Sequence, residues 1–419
     1  MKYQKNARKR RLISSVGLVA SATLLLAACA GGDSGDKGGD SVASEDFSPV
    51  TLSYADVGGE STNGAPFYAF ADEVAAATDD KVTFESFFSG SLLGVTDSLG
   101  GVQSGTADLS YVGASAFPNE IPIAHWNNSM GAVSSSTYPL SILQGYIAQQ
   151  EWALSDPELT AELDANNLMV IWNSLPDTRT ALICKDEPVL TLEDAKGKRL
   201  GVSGTPPSLP EMERLGFTQV QLSPVEWYEG LQRGVVDCVG GTPTAAATYS
   251  LFEVAKHWTF ADFNGSPGTY TMMNKEKFES LPTAAQDAIW DALPTWLVER
   301  GKEWIKNYEA LVTAQDEYDV SFYDPDEDFQ NLVVDEQAKA YEALADSAPD
   351  TVADPAAFLD NFRSIYDKWE TRLSEELDLP TEHTKDTLEE IAEFDSDAID
   401  WDVFRDMLAE VYDAHRPTA

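Results

Sequence analysis

Polar side chains near the ends of predicted strands in the middle of the chain could bind the charged groups of a small molecule. Arg179 is the lone basic residue of a predicted strand that follows Asn173, and a guanidinium can pair bidentately with a carboxylate. A later strand ends at Gly240-Gly-Thr-Pro243, which exposes backbone groups at its carboxyl edge. Open α/β sheets bind small molecules at that edge. The pattern therefore favours a ligand-binding site over a catalytic one.

Catalytic and metal-binding motifs are missing from the sequence. The 4 histidines have no metal-ligand spacing, no Cys-x-x-Cys pair occurs, and Gly201-Val-Ser-Gly-Thr205 departs from the Gly-x-Ser-x-Gly of a nucleophile elbow. No Gly-x-x-x-x-Gly-Lys phosphate loop is present. The acidic runs at 324–328 and 395–402 lack the turn glycine of a calcium loop. We therefore expect neither an enzyme nor a metal site, and no cofactor.

The amino terminus carries the clearest motif of the chain. A cationic segment without acidic residues precedes an apolar run from Leu12 to Ala28, which suits a signal peptide and is short for a full membrane span. The run ends in Leu26-Ala-Ala-Cys29, the pattern of a bacterial lipobox. This pattern predicts a lipoprotein signal peptide over 1–28 and a diacylglyceryl group on the Cys29 sulfur. A plain secretory signal and a single membrane anchor are the other interpretations. Residues 29–48 then predict a flexible tether.

Composition limits the classes of partner. The 419 residues carry a formal net charge of −42, and removal of the cationic leader would make the mature chain more negative still. Such a surface lacks the basic stripe that nucleic-acid binding needs, and it argues against close adhesion to anionic lipid. A hydrophobic content of 43% is ample for the cores of two domains.

The first part of the chain alternates predicted strands and helices. Strand patterns at 50–55, 81–87 and 107–112 are separated by an amphipathic helix over 66–78 and by a shorter helix that closes on Gly105. This β-α-β-α-β order implies a parallel sheet with crossover helices, and hence an α/β domain.

The later part of the chain is predominantly helical. An apolar stripe from Ile289 to Leu311 recurs at helical spacing and predicts one long helix. Pro294 lies inside this helix, where the missing N–H donor should produce a kink. Further helices are predicted as far as residue 414, and residues 380–419 form an acidic extension whose role the sequence does not reveal.

Two segments of the sequence resemble the extracytoplasmic solute-binding proteins of TRAP transporters, the DctP family. The first segment contains Phe-Ala-Asp-Glu-Val74, Lys-Val-Thr-Phe84, Gly-Ser-Leu-Leu-Gly94 and Gly-Val-Gln-Ser-Gly-Thr-Ala-Asp-Leu109. The second segment is the stretch from Asn173 to Pro243. Overall, the resemblance covers roughly residues 50–345.

This resemblance implies an α/β, two-lobed, periplasmic-binding-protein-like fold with a long kinked helix spanning both lobes and extra C-terminal helices. Lobe I would comprise 49–174 plus about 265–300. Lobe II would comprise 175–264 plus about 301–379 with the spanning helix. It further implies a lipid-anchored receptor on the outer face of the cell membrane, which binds a small organic acid or related solute and delivers it to a TRAP membrane permease. A receptor for an ABC importer or a sensor kinase, and a secreted surface hydrolase, are the alternatives.

The resemblance also assigns roles to individual residues. In the family, an arginine on the strand after a Lys-Gly step pairs with the ligand carboxylate. In Lys196-Gly-Lys-Arg-Leu-Gly-Val202 this position falls on Gly201, or on Arg199 if the strand shifts its register. The second basic contact of the family is carried over to Arg179. With Gly201 at the arginine position, a monocarboxylate, a zwitterion or a neutral solute fits the cleft better than a dicarboxylate.

The remaining ligand-binding candidates are hydrogen-bonding, acidic and aromatic side chains near the predicted cleft. Thr242 would replace a family asparagine, Asp56 could meet an ammonium group, and the aromatic residues could wall the cleft. The complete set of candidates is Arg179, Asn173, Thr205, Thr242, Phe263, Asp56, Trp126 and Trp227.

Two cysteines remain once Cys29 carries a lipid. Cys184 and Cys238 form an even pair in an oxidising compartment, which allows a disulfide within one lobe. Two small buried thiols would have the same sequence pattern. The sequence leaves both states open, and it does not determine the oligomeric state.

Overall fold

Two β-sheets organise the chain in the computed structural model, which describes residues 47–173, 180–203, 208–265 and 267–417. The strands are β1 (Val50–Ala55), β2 (Val82–Phe87), β3 (Leu109–Gly113), β4 (Leu168–Asn173), β5 (Thr180–Cys184), β6 (Arg199–Val202), β7 (Thr218–Gln221), β8 (Cys238–Gly241), β9 (His257–Phe263), β10 (Thr269–Asn274) and β11 (Ser321–Tyr323). The α-helices are α1 (Glu60–Ala77), α2 (Ser98–Gln103), α3 (Pro122–Asn127), α4 (Leu140–Ser155), α5 (Pro157–Ala165), α6 (Leu192–Ala195), α7 (Leu209–Leu215), α8 (Trp227–Gln232), α9 (Pro243–Thr248), α10 (Lys275–Glu279), α11 (Thr283–Tyr318), α12 (Glu327–Ala343), α13 (Pro355–Leu377), α14 (Thr387–Glu393) and α15 (Trp401–Ala414).

The first sheet, in the part of the molecule that we call lobe I, has the strand order β2-β1-β3-β10-β4. β1 is parallel to β2 and β3, as the alternation of strands and helices predicts. β10 returns to this sheet from a distant part of the chain and lies antiparallel between β3 and β4. Helix α1 covers the sheet with Phe67, Phe70 and Val74, which are buried one helical turn apart, and the Phe67 ring stacks on Tyr54 at 4.2 Å.

The second sheet, in the part that we call lobe II, has the strand order β11-β9-β5-β8-β6-β7. β5 is antiparallel to β8 and β9, whereas β6 is parallel to β7 and β8. Cys184 of β5 and Cys238 of β8 are directly opposite each other and form a disulfide. The possibility that the sequence left open is therefore realised in the fold.

The long helix α11 contains 36 residues and has Pro294 in its interior. It packs against α1 and α4 of lobe I and against α9 of lobe II, so it spans both lobes as predicted. Trp296 of α11 stacks on Trp172 of β4 at 4.4 Å, which anchors the helix on the first sheet.

Helix α13 departs from the predicted lobe boundaries. The range 301–379 was predicted for lobe II, but α13 packs on α4 of lobe I. The reason is aromatic packing: Trp152 of α4 meets Phe358 and Phe362 of α13 at ring distances of 5.8 and 5.3 Å.

The C-terminal extension contacts both lobes. In lobe I, Trp290 donates from Nε1 to the Tyr412 carbonyl at 2.8 Å, and the Tyr412 hydroxyl donates to the Ile171 carbonyl at 2.9 Å. In lobe II, Thr387 donates from its amide and its hydroxyl to Asp324 at 3.0 and 2.6 Å. The acidic C-terminal extension is therefore an integral part of the packed body.

Helices long and apolar enough to cross a membrane do not occur among the residues that the structure describes.

Candidate functional site

A cleft of about 430 Å³ lies between the two sheets and is the candidate site. It lies where strands of both lobes end, since Asp56 follows β1 while Gly201 and Val202 end β6. β8 contributes Gly240 and is followed by Thr242. The cleft thus lies at the strand edge that α/β sheets use for small molecules.

The lobe I wall of the cleft holds a carboxylate. Asp56 is 3% exposed and lines the cavity. It accepts hydrogen bonds from the Tyr54 hydroxyl at 2.6 Å, the Gly58 amide at 2.7 Å and the Asn63 side-chain amide at 3.0 Å. Burial, followed by the Asp56 charge, raises the pKa of Tyr54 well above its ordinary value, so this hydroxyl stays protonated and remains a donor.

The same wall holds a guanidinium. Arg300 of α11 is 2% exposed and also lines the cavity. Its Nη1 donates to the Asn63 Oδ1 at 2.8 Å and to the Thr62 carbonyl at 3.2 Å, and its guanidinium carbon lies 5.7 Å from the Trp296 ring centroid. The side-chain amide of Asn63 therefore joins the two charges, donating to Asp56 and accepting from Arg300.

Tyrosines around this charged pair stay neutral. Burial raises the pKa of Tyr111, which lines the cleft, to about 12, and the Asp56 charge acts in the same direction. Burial likewise raises the pKa of Tyr146 to about 12, against the opposing effect of Arg300. These phenols are therefore hydroxyl donors across the physiological pH range, and they add no charge to the site.

The lobe II wall combines apolar side chains with uncharged polar ones such as Ser208, Thr244 and Asn264. The Trp227 ring lies edge-on to Tyr249 with a centroid distance of 5.9 Å, and its Nε1 donates to the Leu222 carbonyl at 3.3 Å. Thr242 caps α9 by accepting from the Ala245 amide at 3.3 Å. This wall also includes Met212, Pro224 and Ala245. It can cover the carbon skeleton of a ligand and offer neutral hydrogen-bonding groups, but none of its described lining residues is charged.

Three of the residues proposed from the sequence, Asp56, Trp227 and Thr242, line the cleft. Two others do not. Trp126 packs on Phe358 at a ring distance of 5.2 Å and Phe263 on Phe329 at 6.4 Å, because both lie on core-facing surfaces.

Asn173 is fully buried at the end of β4, where its side-chain amide donates to the Tyr146 carbonyl at 3.3 Å. It is absent from the cleft lining among the residues described. Cys29, Arg179 and Thr205 lie outside the described residues.

The two residues considered for the family arginine position have different surroundings. Arg199 makes an ion pair with Asp237 (Nη2–Oδ1 2.6 Å, Nε–Oδ2 3.1 Å) and also donates to the Gly234 carbonyl. Gly201 lines the cleft, and a Cβ there would lie 3.0 Å from a methyl group of Val239. Arg199 thus stabilises the connection to β8, and β6 presents a glycine to the cleft.

Arg300 is the residue that the sequence reasoning missed. It lies in the stripe of α11 between Trp296 and Trp304, one turn from each, at a position where an apolar side chain is expected. A charged residue within an apolar stripe is the signal that could have identified it, because charges are buried only where they are paired or functional.

Comparison with known proteins gives a consistent family assignment. The family profile DctP, described as bacterial extracellular solute-binding protein, family 7, matches residues 57–347. A solute-binding protein of Verminephrobacter eiseniae is 24% identical over 235 residues, which are 55% of this chain and 66% of that protein. The C4-dicarboxylate-binding periplasmic protein DctP of Rhodobacter capsulatus is 25% identical over 137 residues, 32% of this chain and 40% of that protein. The aligned segments thus span two thirds or less of these curated relatives.

Solved structures show the same fold. DctP7 of Bordetella pertussis, an extracytoplasmic solute receptor binding pyroglutamic acid, superposes with a TM-score of 0.61 at 20% identity, over 75% of this chain and 99% of that one. A TRAP periplasmic solute-binding protein of Desulfovibrio salexigens superposes with a TM-score of 0.63 at 21% identity, over 77% and 97%. At these identities the similarity establishes the two-lobed architecture.

Proposed function

Because the chain belongs to family 7 of the bacterial extracellular solute-binding proteins, we propose that it is an extracytoplasmic receptor of a TRAP-type transporter. In this role it binds a small organic acid or related solute between its lobes and delivers it to the membrane permease. The observation that carries the proposal is the cleft of about 430 Å³, which combines the strand ends of both lobes with a buried guanidinium.

Hinge closure would provide selectivity. Asp56, Asn63 and Arg300 lie on one wall, and Trp227 and Thr242 lie on the other. A solute that touches both walls binds the closed form more tightly than the open form, and therefore shifts the population towards closure. Arg179 remains a proposed second basic contact.

Thermal unfolding of the mature chain from residue 30 tests the receptor function. The panel contains mono- and dicarboxylates, amino acids, sugars and neutral osmolytes. A solute present at 100 times its dissociation constant adds about 2.7 kcal/mol to the free energy of unfolding, which raises the midpoint by a few degrees or more. We expect such a shift with a monocarboxylate, a zwitterion or a neutral compound. Catalytic turnover of a bound compound would contradict the proposal.

We further propose that Cys29 anchors the protein to the outer face of the membrane through a lipid. The support is the lipobox Leu26-Ala-Ala-Cys29 at the end of the apolar run. In cells fed a labelled fatty acid, the native protein should take up label and sediment with membranes, while Cys29→Ser should not be labelled. Unlabelled native protein in the soluble fraction would contradict the anchor and leave the binding function untouched.

A further inference from the structure

The two charged residues among the described residues that line the cleft have opposite signs. They are Asp56 and Arg300, and their formal charges sum to zero. Both belong to the lobe I wall and both are almost completely buried, at 3% and 2% exposure. A buried charge is screened less than an exposed one, so both charges act on a ligand bound in the cleft.

Their relative position is defined by one side chain. The Asn63 amide donates to the Asp56 Oδ2 at 3.0 Å and accepts from the Arg300 Nη1 at 2.8 Å. The Gly58 amide and the Tyr54 hydroxyl hold the carboxylate from its other sides at 2.7 and 2.6 Å. A negative and a positive group are thus presented next to each other on one preorganised wall.

We propose that the cleft selects a small zwitterion, with the ligand carboxylate at Arg300 and its cationic nitrogen at Asp56. The proposal rests on the receptor function proposed above and specifies the class of solute. It places the carboxylate contact on helix α11 of the lobe I wall, whereas the family resemblance places it on β6, where this chain has Gly201.

Charge balance favours a zwitterion over an acid. A zwitterion leaves the site neutral, whereas a dicarboxylate would bring a second negative group close to Asp56. Like charges at short range in a buried site repel strongly. The chain as a whole carries −42, which adds to the repulsion of a net anion.

The rest of the lining suits the body of such a ligand. Tyr111, Trp227, Tyr249 and Trp304 contribute aromatic rings. Aromatic faces accommodate both the methylene groups and the cationic nitrogen of a small zwitterion. Trp227 and Tyr249 of the lobe II wall would therefore close over the carbon skeleton while the lobe I wall holds the charged ends.

Calorimetry with matched pairs of probes tests the charge preference. Each pair has the same shape and differs in the cationic nitrogen: L-proline with cyclopentanecarboxylate, and glycine betaine with tert-butylacetate. In at least one pair, we expect the mature protein to bind the zwitterion about tenfold or more tightly than its partner, which corresponds to about 1.4 kcal/mol.

The variant Asp56→Asn should remove this preference, bringing the ratio of the two affinities close to one. The ratio is measured within one variant, so a general loss of stability does not imitate the effect. Asp72→Asn is the matched control, because it makes the same charge change at an exposed position of α1 outside the cleft lining. It should keep the wild-type ratio.

A second measurement identifies the solute directly. The mature protein is incubated with a metabolite extract and desalted, and the compounds released on denaturation are identified by mass spectrometry. A zwitterion supports the inference. An acid without a cationic nitrogen, or an Asp56→Asn variant with an unchanged affinity ratio, overturns the inference but leaves the receptor function standing. Release of no compound, together with no binding of any probe, would overturn the receptor function itself.

Discussion

Replacing Arg300 by glutamine should weaken binding of any carboxylate-bearing solute by on the order of 100-fold. The Arg300 guanidinium projects from α11 into the cleft. Among the described residues that line the cleft, Arg300 is the one that carries a positive charge, and it is buried. Hydrogen bonds to charged groups contribute about 1.5–3 kcal/mol, and each 1.4 kcal/mol is a tenfold change in affinity. Isothermal titration calorimetry with the solute identified from the panel measures the loss.

Controls separate binding from folding in this experiment. Arg300→Gln leaves the buried Asp56 carboxylate without its positive neighbour, so the free protein should also be less stable. Arg300→Lys keeps the charge and loses the planar fork, and should bind with intermediate affinity. Lys306→Gln removes an exposed positive charge from the same helix and should bind like the wild type. If Arg300→Gln bound within about threefold of wild type, the carboxylate would be held elsewhere, with Arg179 as the next candidate.

The elements of lobe I and the long helix could be predicted from sequence because their determinants are local, whereas the two-lobed arrangement followed from the family resemblance. Strand and helix periodicities over 50–112 specify the parallel part of the first sheet, and the apolar stripe from Ile289 to Leu311 specifies α11. The placement of α13 could not be predicted in the same way. An amphipathic helix reveals that one face is buried, but the partner of that face depends on the tertiary structure, here Trp152 and its neighbours on α4.

The site was predictable only in part, because the cleft joins distant segments. Asp56 and Arg300 are brought together through Asn63, and no local pattern records that Arg300 reaches the first turn of α1. Trp126 and Phe263 show how composition alone leaves the position of a side chain open. Composition marks aromatic residues as candidates for a cleft wall, but their strand or helix face determines whether they meet a ligand or the core.

Disulfide formation was likewise beyond the reach of sequence. In the sequence, a disulfide between Cys184 and Cys238 cannot be distinguished from two buried free thiols. The register of β5 against β8 places the two cysteines opposite each other and makes them partners. Register is set by the burial pattern of the whole sheet and by its connections, so it emerges only with the fold.

Removing the disulfide between Cys184 and Cys238 should greatly lower the free energy of unfolding. The cysteines are 54 residues apart in the sequence, and closing a loop of that length lowers the entropy of the unfolded chain enough to contribute about 4 kcal/mol. Domains are typically stable by about 5–15 kcal/mol. The double variant Cys184→Ala/Cys238→Ala should therefore lose a large fraction of its free energy of unfolding, as measured by urea denaturation.

Reductant provides the matched control, because it should lower the stability of the wild type by a similar amount and leave the double variant unchanged. Neither cysteine lines the cleft, so the folded double variant should bind its solute with wild-type affinity. At temperatures where lobe II of the variant begins to unfold, a smaller fraction of the protein should carry bound solute. If both thiols of the denatured, unreduced wild type reacted with a thiol reagent, the link would not form in the protein. Lobe II would then depend on the packing of its sheet alone, and the expected difference between the variants would vanish.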